Sequence, residues 1–450
     1  MPPPVRRRDR TEQAPPASPS LILAGRALLR GRLQPIEVAI SEEGWIVALG
    51  KHLTGAPRHD VGDSVLLPAA TDLHVHFREP GGAPGVESIP TGTMQAALGG
   101  VALVGEMPNT RPPVTDVPSL EEKAARARGR AAVDILLYAL ARPSPRLANL
   151  ASRAGGFKLF LSPTTGVPDP PPAGEVPTLL AELATLGLPL TVHAEDPSRF
   201  SAAQSVLDPV GWNAHRPPSA EEAAVDRLLP PPPALRLHVA HVTTPSSAAR
   251  LREAGASFEA TPHHLLLSER SGRSAYSKVN PPLRAESDRR GLWEAFVRGE
   301  VPVLASDHAP HLPADKERSF ERAPSGVPGV ETMLPLMLAR VRSAELSLGV
   351  LLAAACDRPA RWLGQPQGRI APGHRANLLV VDFRQRSTVA AARLHAPCGW
   401  TPFDGFEAIF PREVYFRGER IVAAGEFSGG ARGEVVRPEF APGQDALPDR

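Results

Sequence analysis

The stretch "VLLPAATDLHVHFREPGG", residues 65–82, decides the fold, because an apolar run leads there into two histidines and an arginine. The run predicts a buried strand, and strand residues two positions apart point to the same side. His74 and His76 therefore direct two imidazoles at one point, an arrangement that suits a metal ion. In isolation such a pair is more often two ordinary histidines in a turn. The rest of the chain therefore determines whether a metal site is the better interpretation.

Composition narrows the class of protein. The 450 residues carry a net charge of +2 with acids and bases interspersed, which indicates neither a nucleic-acid nor a membrane partner. The two cysteines, Cys356 and Cys398, form no C-x-x-C motif and no disulfide framework. Residues 1–19 lack an apolar signal core, and no run of about 18 apolar residues occurs anywhere. We therefore expect a soluble cytoplasmic protein.

From residue 65 onward, short apolar runs alternate with helical patterns. The runs are "VLLPAATDLHVHF", "GVALVGEMPN", "AVDILLYA", "GFKLFLS", "LPLTVHAED", "LRLHVAHVT", "ASFEATPHH" and "VPVLASDHAP". Eight strand-then-helix units over about 250 residues are typical of a (β/α)₈ TIM-like barrel in the α/β class.

Both flanks of this region are predicted to form short strands joined by tight turns. The simplest arrangement is one small β-sandwich built from both chain ends, with the barrel inserted between them. The predicted units are a Pro-rich disordered tail at 1–19, sandwich strands at 20–68, the barrel at 69–367, further sandwich strands at 368–428 and a loose tail at 429–450.

Polar residues recur at the carboxyl ends of the predicted strands, where barrel enzymes place their active sites. Eight of the 14 histidines lie at such positions. In strand order, the strand-end residues are His74, His76 and Arg78; Asn109; Lys158; His193; His241; His263 and His264; and Asp307, His308 and His311.

Each of these residues also has an ordinary structural interpretation. A strand lysine such as Lys158 usually points to solvent, but both faces of a barrel strand are covered. A buried lysine is costly unless its chemistry changes, and reaction with CO₂ would give a carboxylate able to bridge two metal ions. His193 and His241 could be core histidines, and Asp307 could cap a helix. Only the complete set of strand-end residues favours a metal site over these structural roles.

The set suffices for a binuclear metal centre. His74, His76 and Asp307 would hold one ion, His193 and His241 the other, and carboxylated Lys158 would lie between them. His238 shares the face of His241 by alternation, and His241 is the predicted ligand because it lies nearer the strand end. Nitrogen and oxygen ligands without thiolate suit Zn²⁺, although Mn²⁺ or Co²⁺ also fit. Two such ions would share a hydroxide at neutral pH.

The chain resembles the class I dihydroorotases of the amidohydrolase superfamily, in the branch whose fourth strand carries a carboxylated lysine. The segments that carry the resemblance run from residue 72 to 332: "DLHVHFREPG", "EMPNTRPPV", "FKLFL", "VHAED", "HVTT", "ATPHHLLL", "KVNPPLR", "SDHAPH" and "APSGVPGVET". Weaker similarity extends to "GRIAPGHRANLLVVD".

The resemblance implies reversible hydrolysis of dihydroorotate to N-carbamoyl-aspartate in pyrimidine (UMP) biosynthesis, with two Zn²⁺ ions bridged by carboxylated Lys158 and a hydroxide. Asp307 would be the general acid and base. Substrate contacts would come from His76, Arg78, Asn109, Asn280, His311, Ser325 and Gly326. The family frequently has another residue at the position of Ser325, which makes this contact the weakest transfer. The resemblance also favours a homodimer and suggests aspartate transcarbamoylase as a partner.

Two other interpretations are open at this point. Allantoinases, hydantoinases and dihydropyrimidinases would share the metal ligands, but their usual substrates lack the ring carboxylate that Arg78 and Asn109 would bind. A non-catalytic subunit that scaffolds aspartate transcarbamoylase would have lost metal ligands, whereas all six are present in this chain.

Overall fold

The computed structural model describes residues 18–83, 85–167, 169–201, 206–272 and 274–440. The strands are β1 Pro19–Leu29, β2 Arg32–Ser41, β3 Ile46–Gly50, β4 Arg58–Pro68, β5 Ala70–Val75, β6 Val101–Glu106, β7 Asp134–Leu140, β8 Gly156–Phe160, β9 Pro189–His193, β10 Arg236–Val239, β11 Ser257–Ala260, β12 Val303–Leu304, β13 Leu378–Val381, β14 Ser387–Thr388, β15 Glu407–Ala408, β16 Glu413–Phe416, β17 Glu419–Ala423, β18 Glu426–Phe427 and β19 Val435–Val436.

The helices are α1 Ile89–Leu98, α2 Val117–Ala127, α3 Leu147–Ala151, α4 Val176–Thr185, α5 Pro209–His215, α6 Pro218–Leu228, α7 Pro245–Glu253, α8 Pro262–Leu266, α9 Glu286–Val297, α10 Pro313–Lys316, α11 Met333–Arg342, α12 Leu348–Leu352 and α13 Arg358–Trp362. A π-helical turn, Ala353–Asp357, joins α12 to α13. Within the described ranges, no helix is both long enough and apolar enough to cross a membrane.

Eight parallel strands, β5 to β12, form a nearly closed barrel in chain order. A bridge between Val75 and His308 joins the first strand to the segment after the last, and the His76 amide donates to the His308 carbonyl at 2.7 Å. Each predicted apolar run contains one barrel strand. The predicted (β/α)₈ barrel is therefore confirmed.

Local sequence explains where the helices between the strands begin. Ser88 and Asp116 accept hydrogen bonds from the third residues of α1 and α2, and each of these helices carries proline in its first turn. Thr244 caps α7 in the same way. Side-chain caps satisfy amides that lack partners within the helix, and proline at the start loses no bond. These caps and prolines fix where the three helices begin after the preceding strands.

Strands from both chain ends form one continuous eight-stranded sheet, in the order β18-β17-β16-β13-β4-β1-β2-β3. The run at 65–75, expected as a single strand, divides between this sheet and the barrel. Leu67 pairs with Leu379 in the small sheet, and two residues later the Ala69 amide donates to Asn377. The next residue, Ala70, donates to Gly100 of the barrel. The division sets the start of the barrel, and with it the position of His74.

Residues 387–409, assigned from the sequence to the small β-domain, pack over the barrel mouth instead. Val389 and Phe403 share an apolar cluster with Leu267 and Val279 of the barrel loops. The Trp400 indole donates to the His311 carbonyl at 2.8 Å. Short segments between β14 and β15 thus cover one side of the predicted site.

The described part of the expected loose C-terminal tail, residues 429–440, also packs on the barrel. β19 pairs in parallel with the start of β7, and Val436 joins the apolar cluster inside the barrel. β8 begins only opposite Tyr138, so β19 occupies the free edge of β7 below that point. An unpaired strand edge is satisfied in this way. The tail prediction for residues 1–17 and 441–450 falls outside the described residues.

One arginine joins the small sheet, β7 and the C-terminal segment. Arg417, in the turn between β16 and β17, lies 2.8 Å from Asp134 Oδ1 and 2.9 Å from Glu434 Oε1. We expect Arg417→Ala to lower the free energy of unfolding by about 2–3 kcal/mol, because the buried Asp134 carboxylate loses its ion pair and keeps only the hydrogen bond from the Glu434 amide. The matched control Arg432→Ala breaks only an exposed pair with Glu419 and should cost less than about 1 kcal/mol. Equal effects in urea unfolding would contradict this assignment.

Candidate active site

The predicted metal ligands converge at the carboxyl end of the barrel. His74 lies in β5, Lys158 in β8 and His193 at the end of β9. His76, His241 and Asp307 follow β5, β10 and β12 within three residues. A small cavity lies among them, lined by His74, His76, Arg78, Asn109, Phe160, Thr164, Thr165, His193, His241, Asn280, Asp307, Ala309, Ser325 and Gly326. The structure thus brings the predicted residues to one place.

Three of these residues form a compact group of metal-ligand type. Donor atoms of His74, His76 and Asp307 all lie within 4.8 Å of one another. Asp307 Oδ1 is 3.2 Å from His76 Nε2 and 3.4 Å from His74 Nε2. Two imidazoles and one carboxylate at this separation could hold one divalent ion.

A second histidine pair adjoins the first group. His193 Nδ1 lies 3.0 Å from His241 Nε2, and the His241 ring is 5.3 Å from the His74 ring. Lys158 Nζ lies 3.4 Å from His74 Nε2 and is completely buried. The buried His241 Nδ1 has no hydrogen-bond partner among the described residues, which is unusual for a native polar atom.

Burial keeps these groups in the forms that bind metals. It lowers the pKa of His74 to about 4 and lowers the pKa values of His76, His193 and His241 as well. Neutral imidazoles have a free lone pair for a metal ion. Burial also lowers the pKa of Lys158 to about 8, which favours its neutral amine. Buried nitrogen and oxygen donors without thiolate therefore fit a zinc-type site.

The backbone at the site is strained at three positions. Arg78, His241 and Asp307 adopt φ values of +61°, +37° and +45°. Such conformations cost non-glycine residues about 1–3 kcal/mol and persist only where surrounding structure imposes them. The strain directs these three side chains toward one cavity.

The predicted substrate contacts other than His311 line the cavity, and His311 contacts two of them, Arg78 and Ser325. Asn109 accepts from His76 Nδ1 at 2.8 Å and donates to the Thr165 carbonyl at 2.9 Å. His311 Nε2 lies 3.2 Å from Arg78 Nη2 and 2.9 Å from the Ser325 carbonyl oxygen. Ser325 Oγ donates to Asn280 Oδ1 at 3.0 Å. Arginine, amide and imidazole groups together make a site for an anionic, polar molecule.

Glycine is required at the end of this wall. Gly326 has φ +137°, and a Cβ there would collide with the Ala309 carbonyl oxygen and lie 2.9 Å from His311 Nε2. Backbone approaches the cavity closely at this position.

Sequence reasoning missed two buried carboxylates that orient the histidines. Glu259 in β11 accepts from His74 Nδ1 at 2.5 Å and from His238 Nε2 at 2.9 Å. Glu195 accepts from His193 Nε2 at 2.7 Å. Carboxylates in this role fix the tautomer and orientation of ligand imidazoles. A glutamate inside a covered strand, as in "SFEA", was the available signal.

The remaining strand-end histidines have structural roles or lie away from the cavity. His264 bonds Thr261 Oγ1 at 2.8 Å within α8 and the Pro281 carbonyl at 3.0 Å. His308 bonds Glu87 at 3.1 Å and accepts from the Gly329 amide at 3.1 Å. His263 is buried at the start of α8. Position at a strand end therefore does not by itself identify a ligand.

A nearly closed barrel whose mouth holds buried histidines, a lysine and an aspartate is typical of metal-dependent hydrolases. A Dihydro-orotase-like family model matches residues 63–142. Dihydroorotases of Halobacterium salinarum and Methanosarcina mazei are each 37% identical; the alignments cover 84% and 86% of this chain and 91% of each relative. The chain belongs to the dihydroorotase family, which confirms the family resemblance.

Solved structures share the fold. L-hydantoinase (dihydropyrimidinase) from Arthrobacter aurescens superposes with a TM-score of 0.86 at 27% identity, covering 93% of this chain and all of that one. Dihydropyrimidinase from Brevibacillus agri gives a TM-score of 0.82 at 24% identity, covering 93% and 99%. The relatives with higher sequence identity are dihydroorotases. The hydantoinase structures therefore indicate the architecture of this chain and not its substrate.

Glu259 provides a test of the metal site that does not depend on activity. Glu259→Gln removes the negative charge that holds His74 and should weaken metal binding about 10- to 100-fold. The matched control is Glu413→Gln in the small sheet, another buried glutamate that contacts a histidine, His59, at 3.0 Å. Metal content is measured after dialysis against a graded chelator series. Equal retention by both variants would rule out the orienting role of Glu259.

Proposed function

We propose that the protein catalyses the reversible hydrolysis of (S)-dihydroorotate to N-carbamoyl-L-aspartate, a step of pyrimidine (UMP) biosynthesis. One observation carries the proposal: Arg78 and Asn109 line the same cavity as His74, His76 and Asp307. A cationic fork beside a hydrolytic group suits a cyclic amide that bears a carboxylate. The dihydroorotase relatives agree with this substrate.

The proposed ligand set would hold two Zn²⁺ ions. His74, His76 and Asp307 would hold one, His193 and His241 the other, and carboxylated Lys158 would bridge them. When bound, such ions supply hydroxide at neutral pH and polarise the scissile carbonyl. The buried His241 Nδ1, which lacks a partner in the described structure, supports a ligand role for this residue.

Lys158 is suited to carboxylation by its surroundings. Its Nζ is completely buried, and burial lowers its pKa to about 8, so the reactive neutral amine is present as a minor fraction near neutral pH. The neutral nitrogen forms a bond to the carbon of CO₂ and releases one proton. The product is an anion, which replaces a costly buried cation among neutral imidazoles.

Asp307 is the general acid and base. Burial raises the pKa of its carboxyl group, which brings proton exchange closer to neutral pH. An Asp307 oxygen would accept the proton of the attacking hydroxide and deliver it to the departing ring nitrogen. The strained backbone at Asp307 keeps the carboxylate at the cavity.

The substrate carboxylate would be bound by the Arg78 guanidinium and the Asn109 amide. His76 and Asn280 would contact the ring, with His311 and the Ser325–Gly326 backbone. Arg78 is placed by the Pro310 carbonyl, which lies 3.4 Å from its Nε, and by His311. The alternatives are disfavoured: hydantoin and allantoin carry no ring carboxylate, and a non-catalytic scaffold would not need all six metal ligands.

The homodimer and the association with aspartate transcarbamoylase stay predictions from the resemblance. Size-exclusion chromatography of the protein, with and without the transcarbamoylase, tests both.

Arg78→Met tests the carboxylate site. We expect kcat/KM for dihydroorotate to fall on the order of 100-fold, because a charged hydrogen-bond pair contributes about 1.5–3 kcal/mol. Metal content should be unchanged, since Arg78 is not a ligand. The control is Arg142→Met, which removes an arginine that bonds the Asp169 carbonyl outside the cavity. Full activity of Arg78→Met on dihydroorotate would overturn the substrate assignment.

A further inference from the structure

The chain uses lysine at unusual places. Only five of its 50 lysines and arginines are lysines. Four of them are buried, namely Lys123, Lys158, Lys278 and Lys316, and only Lys51 is exposed. Lysine is rarely buried without a specific partner. Lys278 and Lys316 have no part in the metal ligand set, so their burial needs its own explanation.

Lys278 lies on the segment that leads to Asn280, and its ammonium group is a hub for backbone carbonyls. Its Nζ donates to the carbonyls of Phe320, Glu321 and Ala323 at 2.8, 3.0 and 2.9 Å. The side chain also lies over the Trp212 ring, 4.3 Å from its centroid. One ammonium group thus binds three backbone carbonyls in the segment that leads to Ser325.

Lys316, at the end of α10, continues the same pattern. Its Nζ donates to the Pro324 and Gly326 carbonyls, both at 3.0 Å, and lies 3.4 Å from the Lys278 carbonyl. The Gly326 amide donates to that same Lys278 carbonyl at 2.9 Å. Together the two lysines bind five carbonyls between residues 320 and 326. We call this arrangement the lysine clasp.

The described residues include no ion pair to either ammonium group, and Glu321 is the acidic residue that acts electrostatically on Lys278. Burial, together with the charges of Lys278 and Arg78, lowers the pKa of Lys316 to about 7. A buried cation balanced chiefly by carbonyl dipoles and aromatic ring faces is costly. The cost indicates that the geometry of residues 320–326 matters more than the stability that an apolar side chain would give.

The clasp acts on the wall of the cavity. Ser325 lies between Asn280 and His311: its hydroxyl donates to Asn280 Oδ1, and its carbonyl lies 2.9 Å from His311 Nε2. Both neighbouring carbonyls, those of Pro324 and Gly326, bond Lys316. A shift of the clasp therefore displaces Ser325, Gly326 and the two side chains that contact Ser325.

We propose that Lys316, together with Lys278, is a positioning residue that holds Ser325 and Gly326 against Asn280 and His311 in the substrate-binding arrangement. This inference rests on the proposed function, because it takes those four residues as substrate contacts. It assigns the two lysines a role in substrate affinity, without contact to the substrate or the metal ligands.

The clasp requires lysine and excludes arginine. An ammonium nitrogen directs three donors from a single atom, which matches three converging carbonyls. A guanidinium group is planar, larger and spreads its donors in a fork. Arginine therefore cannot reach the Pro324 and Gly326 carbonyls from position 316 without displacing the loop. The prediction is that Lys316→Arg fails to replace lysine although it keeps the charge.

The test compares Lys316→Met and Lys316→Arg with the exposed control Lys51→Arg, using the full chain loaded with zinc. Measured quantities are kcat and KM for dihydroorotate, bound zinc, and the rate of tryptic cleavage after the exposed Arg322. We expect both Lys316 variants to raise KM about 10- to 100-fold and to change kcat less than about 3-fold. Zinc content should be unchanged and cleavage after Arg322 faster. If the Lys316 variants fail to fold, Lys278→Met carries the same expectations.

Wild-type KM in Lys316→Arg would overturn the proposal, as would joint loss of zinc and kcat at unchanged KM. Inactivity of the wild-type protein on dihydroorotate would be a failure of the proposed function. In that case the clasp is judged by proteolysis alone, and an unchanged cleavage rate after Arg322 in both Lys316 variants would refute it.

Discussion

The structure depends on the burial of basic side chains at the mouth of the barrel, which lowers their pKa values and so favours their uncharged forms. Four imidazoles and one lysine amine lie beside Asp307 with almost no solvent exposure. Water stabilises their charged forms, so burial lowers the pKa values of these five groups and leaves lone pairs available. A bound metal ion would compensate these groups for the lost interaction with water. The packing of the barrel thus prepares the chemistry before any ligand binds.

The surrounding structure serves to hold this arrangement. Glu259 and Glu195 accept from ring nitrogens of His74 and His193 and so orient them. The division of the chain at Pro68 places β5 in the barrel, and the segment with Trp400 covers the mouth beside His311. On the opposite wall, Lys278 and Lys316 fix the loop with Ser325 through its own carbonyls. One wall carries the predicted metal ligands, and the other carries the groups proposed to bind the substrate anion.

Much of this could be predicted from the sequence. The alternation of apolar runs with capped helices located all eight barrel strands, since covered parallel strands must be apolar throughout. Because parallel strands of a barrel end on one face, His74, Lys158 and Asp307 could be assigned to one site although they are far apart in sequence. The amide, imidazole and guanidinium groups of the other wall were predicted from the family resemblance.

Other features were not predictable by those means. β19 pairs with a strand more than 290 residues earlier, and a two-residue strand has no periodicity to detect. Residues 387–409 carry apolar side chains for the barrel loops, and no local pattern shows which surface they cover. His263, His264 and His308 share the strand-end position of the ligands. The hydrogen-bond partners of His264 and His308 distinguish these two, and His263 does not line the cavity. Glu259 was overlooked because a strand glutamate ordinarily faces solvent.

The measurement that tests the central claim most directly is the kcat/KM of the zinc-loaded wild-type protein for dihydroorotate, hydantoin and allantoin under identical conditions. The account predicts that dihydroorotate exceeds the other two by about 10⁴-fold, because a site that pairs Arg78 with a substrate carboxylate leaves that arginine unpaired with the others. Hydrolysis of hydantoin or allantoin at a comparable or higher kcat/KM would contradict the anion-binding wall while leaving the metal-binding wall in place.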